Sequence, residues 1–172
     1  MVPISTNAVT ETITAFVVCG IIDLVPKIYR RVAWMRLDTP KDMKDYLREL
    51  LAQPQLQLFL KSCNASFIYM PTIVIKPTCG PRVGALSYGH SLIEVSSWML
   101  EDGNSLASTL RHEFAHVIKS KCRLSGSPHG SNWVKCLKAM SPITWEIDKH
   151  WIPTESIEKK RLEIHPRAKR LC

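Results

Sequence analysis

Residues 106–120 read LASTLRHEFAHVIKS, and the spacing of their apolar members decides how the rest of the chain is read. Leu106, Leu110, Phe114, Val117 and Ile118 fall on one side of a 3.6-residue period, the stripe of an amphipathic helix that faces a core. Asp102-Gly103-Asn104-Ser105, just before it, can turn the chain and cap such a helix. Inside the stretch lies an HExxH string, His112, Glu113 and His116. Histidines four apart project from one helix face, so two imidazoles can reach a single zinc ion at ~2.0–2.1 Å. Glu113 lies beside that face, where its carboxylate can take a proton from a water polarised by the metal and deliver it to a leaving amine.

A catalytic zinc needs a third protein ligand and one open position. The extended metzincin pattern would put Gly and His three and six residues after His116, but Lys119 and Cys122 stand there, so that pattern fails. Glu146 offers a carboxylate thirty residues on, without a supporting local pattern. His129 is the better candidate. It sits in the turn-rich run Ser125-Gly126-Ser127-Pro128-His129-Gly130, which lets the chain swing back over the helix before a further helix near Ser131.

Outward from this centre, Thr39-Pro40-Lys41-Asp42 is a helix start, with Thr39 as N-cap, Pro40 at the first helical position and Asp42 in the electropositive first turn. Met43, Tyr46, Leu47, Leu50 and Leu51 supply its apolar stripe, and Pro54 interrupts or restarts it before Leu56 to Leu60. Residues 10–36 hold an apolar-rich stretch that fits a buried helix or a strand, since periodicity alone does not decide between them, with helix preferred. Residues 66–76 (SFIYMPTIVIK) read as one or two short strands, and Ala85 to Tyr88 and Leu92 to Ser96 as two more joined around Gly89-His90. Together these predict an α+β fold, a small antiparallel sheet flanked by helices.

About residues 66–140 resemble the SprT-like zinc metalloprotease family, which includes the Spartan-like DNA–protein crosslink proteases. The resemblance is carried by the turn and strand from Cys79-Gly80 to Tyr88, by Leu92-Ile93-Glu94-Val95-Ser96 followed by Trp98-Met99-Leu100, by Thr109-Leu110-Arg111 entering HExxH, and by His129-Gly130-Ser131-Asn132-Trp133. It implies a zincin-like metalloprotease core over residues 1–150, with a helical part at 1–60 and the motif-bearing part at 66–140. It also implies one catalytic zinc held by His112, His116 and His129, Glu113 as base, and protein substrates that are DNA-bound or DNA-crosslinked. The strand Leu92 to Ser96 would lie at the cleft edge and pair with an extended substrate. Tyr88, His90 and His150 remain open as stabilisers of a developing oxyanion, and none is assigned.

Composition sets the outer limits. The 172 residues are 45% hydrophobic and 22% charged, close to a soluble globular average. The net charge is +8, and half of it lies in residues 149–172, which carry seven basic residues against three acids. This basic tail, taken as 151–172 and including a candidate linker at 153–166, is where a nucleic acid would be met, through Lys159, Lys160, Arg161, Arg167, Lys169 and Arg170. Trp145 and Trp151 lie upstream. Six cysteines without a CxxC pair argue against a zinc ribbon and against a disulfide framework. The stretch from Ile13 to Val25 contains Asp23, follows Glu11 and is too short to span a bilayer, so no membrane association is expected. The expected location is intracellular: the nucleus if the source is eukaryotic, the cytoplasm or a host cell otherwise.

Two other functions stay in view. One is a general or self-processing peptidase without a DNA role. The other is a non-catalytic, zinc-stabilised, DNA-associated binding module, for which Glu113 would have no use and in which Cys122 or His150 could close the metal shell.

Overall fold

A computed structural model of the chain describes residues 37–66, 69–80, 84–141 and 155–164, all within the unit 36–172. The apolar stretch at 10–36, the segment 142–154 with Trp145, Glu146, His150 and Trp151, and the tail residues Arg167, Lys169 and Arg170 lie outside the described residues.

Helix α1, Pro40–Leu51, starts where the capping signal puts it. The Asp42 backbone N–H donates to Thr39 Oγ1 at 3.2 Å, and the Thr39 N–H donates to Asp42 Oδ2 at 3.0 Å. Two of the helix's orphan donors are thus satisfied reciprocally, while Pro40 has no N–H to satisfy. The expected stripe is buried at Met43, Tyr46, Leu47 and Leu50. Pro54 opens a separate helix, α2, Pro54–Ser62, whose Leu56 and Leu60 face the core.

Three strands follow: β1 (Thr72–Lys76), β2 (Ala85–Tyr88) and β3 (Leu92–Ser96). The two later strands match their expected bounds and pair antiparallel around a turn that begins at Gly89. Glycine suits that turn, because its φ of +59° lies in the left-handed region. The expectation of an antiparallel sheet is corrected by the second pair. The order is β1-β3-β2, and β1 runs parallel to β3 with Ile73 opposite Ile93 and Ile75 opposite Val95. The chain reverses twice between β1 and β3, so they point the same way and become parallel once they are neighbours. β3 takes the central place because Ile93 and Val95 are fully buried, whereas β2 ends at the exposed Tyr88 and suits an edge. The same order overturns the placing of Leu92–Ser96 at the cleft edge, since both sides of β3 are already paired.

A 3₁₀ turn, Ser97–Glu101, buries Trp98 and Met99 and leads into helix α3, Gly103–Lys121. Asp102 Oδ1 caps α3 by accepting from the N–H groups of Asn104 (2.9 Å) and Ser105 (3.3 Å). The α3 stripe, Leu106, Leu110, Phe114, Val117 and Ile118, is buried throughout. Helix α4, Ser131–Met140, packs on α3 and α2 and buries Trp133, Cys136, Leu137 and Met140. Arg111 of α3 donates to the Tyr46 hydroxyl at 2.5 Å, tying α1 to the same helix. The described residues thus form an α+β fold with a three-stranded sheet and five α-helices.

The fifth, α5 (Glu155–Ile164), occupies what the sequence suggested was a linker. It packs beside the 3₁₀ turn, with Ile157 fully buried and Arg161 only 6% exposed. The apolar residues of this basic segment are too sparse to announce a helix, and contact with another element supplies the burial that periodicity did not show.

Cys63 at the end of α2, Cys122 at the end of α3 and Cys136 on α4 meet where the three helices pack, and Cys63 and Cys122 are hydrogen-bonded. Cys63, Cys79, Cys122 and Cys136 are all free thiols. Burial, reinforced by the Cys63 sulfur, pushes Cys122 and Cys136 up to about 12. No helix among the described residues is long and apolar enough to cross a membrane.

Burial predicts a contrast between two leucines. Leu110→Ala, at a fully buried site on α3, is expected to cost about 2–5 kcal/mol in urea unfolding. Leu58→Ala, at a side chain 69% exposed, is expected to stay within about 0.5 kcal/mol.

Candidate metal centre

His112 and His116 stand one turn apart on α3, and the loop between α3 and α4 returns His129 to the same face. The His129 Nε2 atom lies 3.0 Å from His112 Nε2 and 3.0 Å from His116 Nε2. One ring nitrogen can share only one proton, so hydrogen bonding cannot satisfy both contacts at once. A cation at the centre satisfies all three lone pairs. Ligands of one tetrahedral ion at ~2.0–2.1 Å stand ~3.3 Å apart, close to the observed spacing. The residues therefore fit a metal ion, and they form a three-histidine group whose ligand atoms lie within 4.8 Å of one another.

Two features prepare the imidazoles. Trp133, fully buried in the first turn of α4, touches all three rings, with centroid separations of 4.7 Å to His112, 5.4 Å to His116 and 4.8 Å to His129. A rigid indole there limits how far any ring can rotate. Burial, and then the charges of His112, His129 and Lys119, hold His116 down to about 3. Its imidazole is therefore neutral near pH 7, the form that donates a lone pair to a metal.

Glu113 lies beside the trio and is 8% exposed. Burial pushes its carboxyl up to about 7, while hydrogen bonds from the Ser87 side chain and backbone pull the other way. A carboxylate so poised is matched to proton transfer near neutral pH. Ser87 belongs to β2, the edge strand, so the sheet supports the helix at the turn that carries Glu113. The cleft in front has a volume of about 710 Å³ and is walled by Ala85, Leu86 and Ser87 on one side and by Leu124, Pro128 and His129 on the other. That space suits an extended ligand.

The other sequence candidates fall elsewhere. The Tyr88 hydroxyl donates to Glu94 Oε2 at 3.2 Å, and Lys76 forms an ion pair with the same carboxylate, so Tyr88 is held at the sheet. The Lys76 ammonium, and then the Tyr88 hydroxyl, hold Glu94 below the usual carboxylate range against the effect of burial. His90 is exposed in the β2–β3 turn. Cys122 packs with Cys63 and is not among the grouped ligands. Of the basic residues of the tail, Lys159 is exposed and Lys160 faces Glu163 at 3.4 Å and Glu101 at 3.9 Å. Arg161, expected at a phosphate, is turned into the fold. Sequence reasoning missed Ser87, for which a lone serine in a short strand gives no signal.

Compared with protein-family models, curated proteins and solved structures, the chain matches none. The geometry of the centre is therefore what bears on function.

Between pH 4.5 and about 7 the folded chain keeps a proton on Glu113 that the unfolded chain has released. This contribution to stability is therefore present at low pH and falls as pH rises through that window. In metal-free protein, Glu113→Gln is expected to match wild type below pH 4.5 and to exceed it above about pH 7 by up to about 3 kcal/mol, read from urea unfolding against pH. A difference that does not change with pH would contradict a buried, protonated Glu113.

Proposed function

We propose that the chain is a zinc-dependent endopeptidase of the SprT-like type, with a zincin-like core, that cleaves DNA-bound or DNA-crosslinked proteins. The observation that carries this reading is the meeting of His112, His116 and His129 at 3.0 Å contacts, with the buried carboxylate of Glu113 beside them in an open cleft. A binding module that kept zinc only for structure would have no use for that carboxylate or for the open side.

His112, His116 and His129 would hold the ion, which when bound supplies Lewis acidity toward a carbonyl oxygen and toward water. Glu113 takes one proton from the attacking water as the water oxygen bonds to the peptide carbon. As the carbon–nitrogen bond breaks, the same carboxyl returns the proton to the leaving nitrogen, so charge and protons balance. Ser87 keeps the Glu113 carboxyl turned to the cleft throughout. The edge of β2 that no described strand pairs can pair with an extended peptide through backbone groups, which gives affinity with little demand on side chains. A protease acting on varied proteins needs that tolerance.

DNA as the platform is supported by the net charge of +8 and its concentration toward the C-terminus. The burial of Arg161 and the acidic partners of Lys160 favour a second reading, a general or self-processing peptidase without a DNA role.

One measurement tests the mechanism shared by both readings, and a second separates them. Glu113→Gln is expected to bind zinc like wild type and to lose cleavage, by at least about 100-fold for removal of a general base. His129→Ala is expected to lose both. Undiminished cleavage by a zinc-loaded Glu113→Gln protein would sink the mechanism. Added single- or double-stranded DNA is expected to stimulate cleavage at low salt and to lose that effect as salt rises. Cleavage indifferent to DNA at every salt concentration would select the second reading.

A further inference from the structure

The loop that carries His129 buries almost nothing. Arg123 and Ser125 through His129 are exposed, and Leu124 is half-buried. Apolar packing therefore does not determine where the third histidine stands, and a segment with so few buried contacts opens easily unless polar bonds hold it. Such bonds are present at both ends. Lys119, three residues beyond His116 on α3, donates from Nζ to the carbonyl oxygens of Gly126 and Ser127, each at 2.8 Å. From the opposite side Asn132, in the first turn of α4, donates from Nδ2 to the Ser125 carbonyl at 3.0 Å. Between these anchors Gly126 has a φ of +97°, a backbone state that glycine reaches without strain. The three acceptor carbonyls belong to consecutive residues, and His129 follows the last of them by two positions.

A lysine in the last turn of a helix is ordinarily explained by the helix dipole, whose negative end it neutralises. Lys119 does more than that, because its ammonium is bonded to carbonyls seven and eight residues further along the chain, outside the helix. Lys121, also in the last turn of α3, already supplies a cation to that helix end.

We infer that Lys119 is a positioning residue for the third metal ligand: by holding the Gly126 and Ser127 carbonyls it sets His129 against His112 and His116. The inference rests on the reading of the three histidines as a metal centre. The loop then behaves as a clasp closed from α3 by Lys119 and from α4 by Asn132, and the third ligand is pre-organised before the ion arrives. An ion entering such a site does not have to order the loop, so the cost of ordering is removed from its binding free energy.

The test is zinc affinity by competition with a chromophoric chelator, together with the melting temperature of the metal-free protein, for wild type, Lys119→Met and Lys119→Arg. Methionine keeps the length of the stem and removes the donors; arginine restores donors that reach both carbonyls. Lys119→Met is expected to weaken zinc binding about 10–100-fold, the usual effect of removing a group that orients a ligand, and to leave the metal-free melting temperature unmoved. Lys119→Arg is expected to recover most of the affinity. A Met variant within about twofold of wild type, where orientation should cost tenfold or more, overturns the inference. So does an Arg variant as weak as the Met variant, or a melting temperature that falls along with the affinity. Should Lys119→Met not fold, Asn132→Ala decides, with unchanged affinity overturning the clasp. Wild-type protein that binds no zinc overturns the metal centre itself, and the clasp with it.

Discussion

Three imidazole nitrogens held within 4.8 Å of one another oppose lone pair to lone pair, and the arrangement becomes favourable only around a positive charge. The rest of the described fold can be understood as the means of bearing that load. Two of the rings come from one rigid helix, so their relative position follows from helix geometry. The third must arrive from elsewhere, and it does so on a loop closed by α4 starting immediately afterwards. Trp133, carried by that same helix, fills the space behind all three rings. The α3 helix is in turn fixed by its buried stripe, by Asp102 at its start, and by the Arg111–Tyr46 bond to α1.

The sheet contributes through one residue. Ser87 stands on β2 directly across from Ile93, and its bonds to Glu113 tie an edge strand to the helix that carries His112 and His116. The antagonism at Glu113 is informative. Burial favours the neutral acid, and the serine favours the carboxylate, so the group rests between the two near neutrality. A fully solvated carboxylate would be too weak a base, and a buried one without a partner would not release its proton.

Much of this was legible in the sequence, for reasons that can be named. The helix at 106–120 was readable because its apolar residues and its histidines repeat on the same period. The start at Thr39 was readable because a capping box is local chemistry, complete within four residues. His129 was readable from metal valence and from the turn residues around it. What escaped was non-local. Nothing in the runs at 72–76 and 92–96 says which strand lies next to which, so the sequence shows neither the parallel pair nor the central place of β3. Lys119 was read only as a residue that spoils the metzincin spacing, because its partners lie across a loop. Arg161 was counted as surface charge, because a helix that gains its burial from another element has little periodicity of its own.

The free thiols bear on which donors a metal ion would meet, in a way the histidines alone do not reveal. A soft divalent ion prefers thiolate sulfur to imidazole nitrogen, so a chain with both kinds of donor faces competition among its own side chains. Cys122 and Cys136, pushed up to about 12 where the helices pack, stay protonated near pH 7, and a metal ion would have to displace that proton before either sulfur could bind it. The hydrophobic packing that builds the core therefore also acts as a filter on coordination. It keeps two sulfurs close in sequence to the histidines protonated, while the three nitrogens that could hold an ion stand grouped apart from them.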